Sequence, residues 1–136
     1  MKFFRRFFDE RASVAVEFAL FMPVFLLLVF AVVELGSAWY AKQMLVNASR
    51  DGARMASLLN PGDITDIDVE THVQNLLTTA GFPGTFSVSS TGAEDTTGTL
   101  VTVQVDSTYQ LPVLGALIPS NLSEVNLSAT TVMRHE

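Results

Sequence analysis

The sequence predicts an α+β protein with a long N-terminal helix, a second shorter helix and a small antiparallel sheet of about three strands. Three observations carry this prediction. Residues 18–33 form an unbroken apolar run, the residues that follow continue it with a helical period, and from residue 84 the period changes to two. Composition divides along similar lines. Residues 1–54 hold seven Lys/Arg against five acids, whereas 55–136 hold one basic residue, Arg134, and nine acids. Charged residues make up only 16% of the 136, against ~25% in ordinary soluble domains. The acidic half has no clustered cations for phosphates, so nucleic acid is not an expected partner. With no Cys, disulfides, thiolate metal sites and Cys nucleophiles are excluded.

The first element is a membrane helix. Phe18–Val33 contains no polar side chain, and Val14–Val16, with Leu35 and Ala38 on the other side, extend the stretch past Glu17 and Glu34. The run thus reaches the ~20 residues needed to cross a ~30 Å hydrocarbon core. A helix apolar all the way round could hardly be covered by a chain this short. A cleaved secretory signal would need small residues just after the core, a role open to Gly36, Ser37 and Ala38, but the helical pattern runs through them without a break. Lys2, Arg5, Arg6 and Arg11 precede the span and only Lys42 and Arg50 follow closely, which predicts a cytoplasmic N-terminus. Phe3, Phe4, Phe7 and Phe8 would share one face of a short helix along the inner leaflet, or belong to a disordered leader.

Glu17 needs a reason. A carboxylate at the bilayer centre costs at least ~2.5 kcal/mol, so such a residue has a partner or a function, or lies near enough to the headgroups, beside Arg11, to stay wet.

Beyond the span the helix becomes two-faced. Gln43, Asn47, Arg50, Asp51 and Arg54 gather on one side, with Leu35, Ala38, Trp39, Leu45, Val46, Ala53, Ala56 and Leu59 opposite. Trp39 and Tyr40 fall where an outer aromatic belt is expected, Pro23 should kink the lower half, and Asn60-Pro61-Gly62 ends the helix. A second helix follows, capped by Asp63 or Thr65, with Val69, Val73, Leu76, Leu77 and Ala80 apolar and Gly81 at its end. Asp66, Asp68 and Glu70 suit its positive end; they lack the glycine and closing glutamate of a calcium loop, so capping is expected and no metal.

Three alternating strands come next, around Phe86 and Val88, around Val101, Val103 and Val105, and from Val125 through Leu127, Ala129 and Thr131 to Met133. Residues 91–98 read as a flexible loop, and the apolar stretch 111–119, broken by Pro and Gly, as a loop over the sheet edge or a contact surface. The helices must cover the sheet's apolar face, giving a head on a helical stalk.

No catalytic constellation is visible, and no enzyme activity or cofactor is expected. His72 and His135 lie near no nucleophile arrangement, His72 reads as a surface residue, and Glu94-Asp95 as a solvated pair. The Asn-x-Ser patterns at Asn47, Asn121 and Asn126 read as chance in so Ser-rich a chain.

The order Ala12-Ser13-Val14-Ala15-Val16-Glu17-Phe18, then Pro23 within the apolar run, Glu34-Leu35-Gly36 and Asn47-Ala48-Ser49-Arg50-Asp51-Gly52-Ala53-Arg54 resembles the TadE-like family over about residues 11–56. These are minor pilins, or pseudopilins, of bacterial tight adherence (Tad, type IVb or Flp) pili, acting in pilus assembly, priming or tip formation and in adhesion. The resemblance implies a pilin-like fold divided into a basic leader at 1–12, a membrane and stalk helix at 13–59 with its membrane part at about 14–36, and an extracytoplasmic head at 60–136.

It further implies that a prepilin peptidase cuts five residues before the Glu, between Ala12 and Ser13, with Glu17 and Phe18 as the recognised pair. Ala12 stands where the major pilins usually carry Gly. The implied partners are other major and minor pilins, the peptidase, an inner-membrane assembly platform and the lipid bilayer. Glu17 and Pro23 would then serve subunit packing, Glu17 by meeting the new α-amino group of a neighbour, because its own Ser13 lies ~6 Å away along the same rigid helix. An unprocessed, permanently anchored binding module of an envelope or secretion system is the alternative.

Overall fold

The computed structural model describes residues 10–60, 62–117 and 123–136. The elements run α1 (Glu10–Leu58), α2 (Asp66–Thr79), β1 (Thr85–Thr91), β2 (Leu100–Gln110), α3 (Leu114–Leu117) and β3 (Glu124–Arg134). The class is α+β as the periodicities predict, with one antiparallel sheet in the order β1-β2-β3. Phe3, Phe4, Phe7, Phe8, Pro61 and Asn121 lie outside the described residues.

Helix α1 has 49 residues, or ~74 Å at 1.5 Å each, and continues through Pro23. Its upper half carries the head. Val101, Val103 and Val105 of β2 and Ala129 of β3 pack onto Leu45, Ala48, Ala53 and Ala56 of α1, with Val69, Val73 and Leu77 of α2 closing the same core. Small residues on α1 make that approach possible, because the backbones can lie close only where side chains are short. Gly52 marks the tightest point: a Cβ there would overlap the Val73 side chain and touch Val69 and Val103. The polar sector of α1 points outward as expected, with Gln43, Asn47, Arg50, Asp51 and Arg54 all exposed.

Three residues assigned to the packing side do not pack: Leu59 is exposed beyond the last turn of α1, and Leu35 and Trp39 are exposed lower down. Leu35 is 73% exposed and Trp39 69%, because the sheet covers only the stripe through Ala38, Ala41 and Leu45 and ends beside it.

Between the expected caps, Thr65 is the one used. Its hydroxyl accepts from the Asp68 N–H at 3.2 Å while the Asp68 carboxylate accepts from the Thr65 N–H at 3.0 Å, a reciprocal capping box. At the other end Gly81, at φ 68°, adopts the left-handed turn that lets Phe82 N–H reach Leu77 O at 3.0 Å. The acids of the first turn do more than complement the dipole. Asp66 accepts from Ser90 Oγ at 2.8 Å and from the Ala93 N–H at 3.1 Å, and Glu70 from the Ser90 N–H at 2.9 Å, tying α2 to the end of β1.

Strand β2 extends beyond the Val101, Val103 and Val105 alternation to Gln110. Ser107 broke the alternation in the sequence, yet it points inward with its hydroxyl donated to Thr85 O at 2.8 Å, and Tyr109 is buried against Ala38 and Ala41. The 91–98 loop is pinned rather than free. Ala93 is fully buried, and the Gly98 N–H bonds His135 O at 2.9 Å.

The strands lie alongside the upper stalk, which gives the head two ends. At the base Tyr109 meets Ala38, and at the top the Glu136 N–H donates to Ser57 O at 3.0 Å.

Candidate functional site

The lower half of α1 presents its chemistry to the surroundings. Every side chain from Ser13 to Phe30 is exposed, and nearly all are apolar. Ser13–Leu58 contains a stretch apolar and long enough to cross a membrane, with none of that stretch buried inside the protein. This makes it a candidate membrane span. The Ala12–Ser13 bond lies near the start of α1, and Glu17 follows one turn later with its side chain exposed. Phe18 lines a shallow apolar groove with Phe21, Met22 and Phe25, which succeed one another along one helix face. Pro23, also exposed, lacks an N–H, so one carbonyl in this half has no helical donor. The structure places Ser13, Glu17, Phe18 and Pro23 on one rod and brings none of the head's described residues to them.

The second feature, at the base of the head, centres on Glu34, to which sequence reasoning assigns no role of its own. Glu34 is only 5% exposed. Its carboxylate accepts from the Val113 N–H and, at 3.1 Å, from the Leu114 N–H at the start of α3. Two backbone donors aimed at one carboxylate satisfy the charge where water is scarce and fasten the 111–117 segment to the stalk. The stretch read as a loop or contact surface thus contains a single helical turn, closed by Gly115 N–H to Leu111 O at 2.9 Å and joined to the β3 side by Leu111 N–H to Ser123 O at 2.9 Å. Ile118 and Pro119 lie outside the described residues. An apolar groove also opens between stalk and β3, lined by Val32, Leu35, Gly36, Trp39, Val125 and Leu127, with Lys42 its one charged lining residue. A sequence signal for Glu34 existed: it closes the apolar run much as Glu17 opens it.

The remaining polar groups serve the head. Asp51 on α1 and His72 Nε2 on α2 are 2.8 Å apart at the surface. His135 is buried, its Nε2 directed at Ala93 O at 3.3 Å, and its Nδ1 has no hydrogen-bond partner among the described residues. Hydrogen bonds from the Thr65 hydroxyl and backbone hold the Asp68 carboxyl below the usual aspartate value, and those from Ser128 and Gln104 do the same for Asp106 on the outer face of the sheet. Glu94 and Asp95 are exposed, and no group of three or more potential metal ligands occurs among the described residues.

Residues 12–54 match the family model of TadE-like proteins. The match spans the apolar rod and the small-residue stalk, the stretch that carries the sequence resemblance. No curated protein and no solved structure gives a match to the chain.

Proposed function

From the premise that residues 12–54 are TadE-like, we propose that the protein is a minor pilin, or pseudopilin, of a Tad (type IVb) pilus: a structural rather than enzymatic part, acting in assembly, priming or tip formation and in adhesion. It inserts in the bacterial inner membrane with its N-terminus in the cytoplasm and its head in the periplasm, the orientation that the four basic residues before the span favour over the two after it. A prepilin peptidase hydrolyses the Ala12–Ser13 peptide bond, freeing the leader with a new carboxylate and leaving an α-amino group on Ser13. Other pilins and the assembly platform of the inner membrane then receive the rod.

The observation that carries this reading is the exposed carboxylate of Glu17, one turn after Ser13 on a rod that is otherwise apolar outward. The new amine and its own Glu17 are held ~6 Å apart along the axis. A neighbouring subunit's carboxylate can approach the amine more closely, and a charge pair between subunits in a low-dielectric bundle offsets the cost of burying either charge while fixing their stagger.

Mass spectrometry of the protein purified from cells with an intact Tad system tests the processing. Ser13 at the mature N-terminus is expected; a retained Met1 favours the permanently anchored binding module instead, a reading motivated by Ala12 in place of the usual Gly. Glu17→Gln should abolish recovery of the protein in sheared pili while leaving it in the membrane fraction. Undiminished incorporation would remove the proposed charge pair.

A further inference from the structure

We propose that the base of the head is a membrane seat: the turn around α3 and the groove beside β3 rest in the outer boundary of the same bilayer that α1 spans, with a phospholipid occupying the groove. The inference rests on α1 being a membrane span and not on its pilin role.

Depth along α1 fixes the geometry. Trp39 and Tyr40 are both more than 60% exposed, and as an aromatic belt they mark the headgroup level. Glu34 lies five positions nearer the span, ~7.5 Å deeper along the helix. Its hydrogen bonds to Val113 and Leu114 hold the α3 turn at that depth. The turn therefore sits about where the hydrocarbon begins. Its chemistry suits that place, since Leu111 to Leu117 contains no charged or hydrogen-bonding side chain and Pro112 and Ala116 are exposed.

The bonds from Glu34 also explain how a carboxylate is tolerated there. It supplies acceptors for backbone N–H groups that would otherwise meet lipid unpaired, and those donors offset its own desolvation. The groove agrees with the same occupant. Leu35, Trp39 and Val125 give it apolar walls for an acyl chain, while Lys42, half-buried one turn above Trp39, is the one charged side chain of the lining and the partner for a lipid phosphate.

The absence of Cys allows a clean test with single nitroxide labels on the full-length protein in vesicles of phosphatidylethanolamine and phosphatidylglycerol. Labels at Ala116→Cys, at Leu28→Cys in the middle of the span and at Glu94→Cys at the top of the head are compared by collision with oxygen, which favours lipid, and with a water-soluble nickel chelate. The Ala116 label should favour oxygen, lying shallower than Leu28 and opposite to Glu94. Pro112→Cys should repeat the result on a separate side chain. Adding Glu34→Ala should raise chelate access at Ala116 several-fold without changing Leu28. A chelate-accessible Ala116 beside a lipid-buried Leu28 overturns the seat alone, whereas water at both positions removes the membrane span as well. Protection of Ala116 that disappears on diluting protein in lipid identifies a second copy as the occupant and also overturns the proposal.

Discussion

The two halves of α1 share one backbone and one helical period, yet they solve opposite problems. From Ser13 to Phe30 every side chain is exposed, and the side chains are bulky: Phe18, Leu20, Phe21, Phe25 and Phe30 among them. From Ala38 to Ser57 the contacts fall on Ala38, Ala41, Ala48, Ser49, Gly52, Ala53, Ala56 and Ser57, with Leu45 the one large side chain fully buried. A helix whose solvent is lipid gains from large apolar groups on all sides and needs no partner. A helix that must carry a sheet gains from brevity, because each methylene removed lets the partner's side chains interlock. Side-chain size on the contact face, together with the polar outer sector that only the upper half carries, separates the two regions, with Glu34 at the boundary between them.

Substitutions of the same kind in each half sharpen the comparison. Leu45→Ala should lower the stability of the head by ~2–5 kcal/mol, since it empties a fully buried site on the core's central helix. Leu28→Ala, 59% exposed in the rod, should leave the head's unfolding in detergent unchanged. Urea titration followed by circular dichroism of the sheet checks both. Equal effects would mean that the halves are not energetically distinct. Gly52→Val comes next: the added side chain collides with Val73 at the crossing of α1 and α2, and overpacking of this kind costs ~1–3 kcal/mol.

The capping box offers a smaller effect with a pH signature. Thr65→Ala should cost ~1 kcal/mol through loss of the cap. Asp68 is held below its usual value in the folded protein, so the stability it confers is present above the unfolded carboxyl value and is lost as pH falls through the folded one. Asp106 follows the same sign. Acid titration of the unchanged protein should therefore show stability declining below about pH 4. Thr65→Ala should flatten part of that decline. A steeper decline in the variant would contradict the assignment.

The parts of the fold written in local period were readable from the chain. The apolar run, the two-faced stalk, Val69, Val73 and Leu77 of α2, and the inward Val101, Val103 and Val105 repeat at spacings that reflect which side is covered. What was not readable depends on distant partners. The α3 turn is held by a carboxylate 79 positions away, and nothing within Leu111–Leu117 announces that bond. Gly52 looked like part of a family motif, and its physical reason appears only when Val73 is brought against it. Ser107 concealed the length of β2 because a polar inward residue is tolerated when a carbonyl accepts its hydroxyl. In the rod, Glu17 was legible for the opposite reason: a lone acid among apolar neighbours stands out without any fold.

The central claim is that one unbroken helix joins the apolar rod to the head, and a distance across its two halves tests it most directly. Nitroxides at Phe25→Cys and Arg54→Cys, both exposed, bracket the boundary at Glu34 in a chain with no other thiol. Pulsed electron resonance on the full-length protein in bilayers should give a narrow distribution near ~44 Å, the rise of 29 helical positions. A broad distribution, or one centred well short of that distance, would show the rod and the stalk to be separate pieces and would contradict the account.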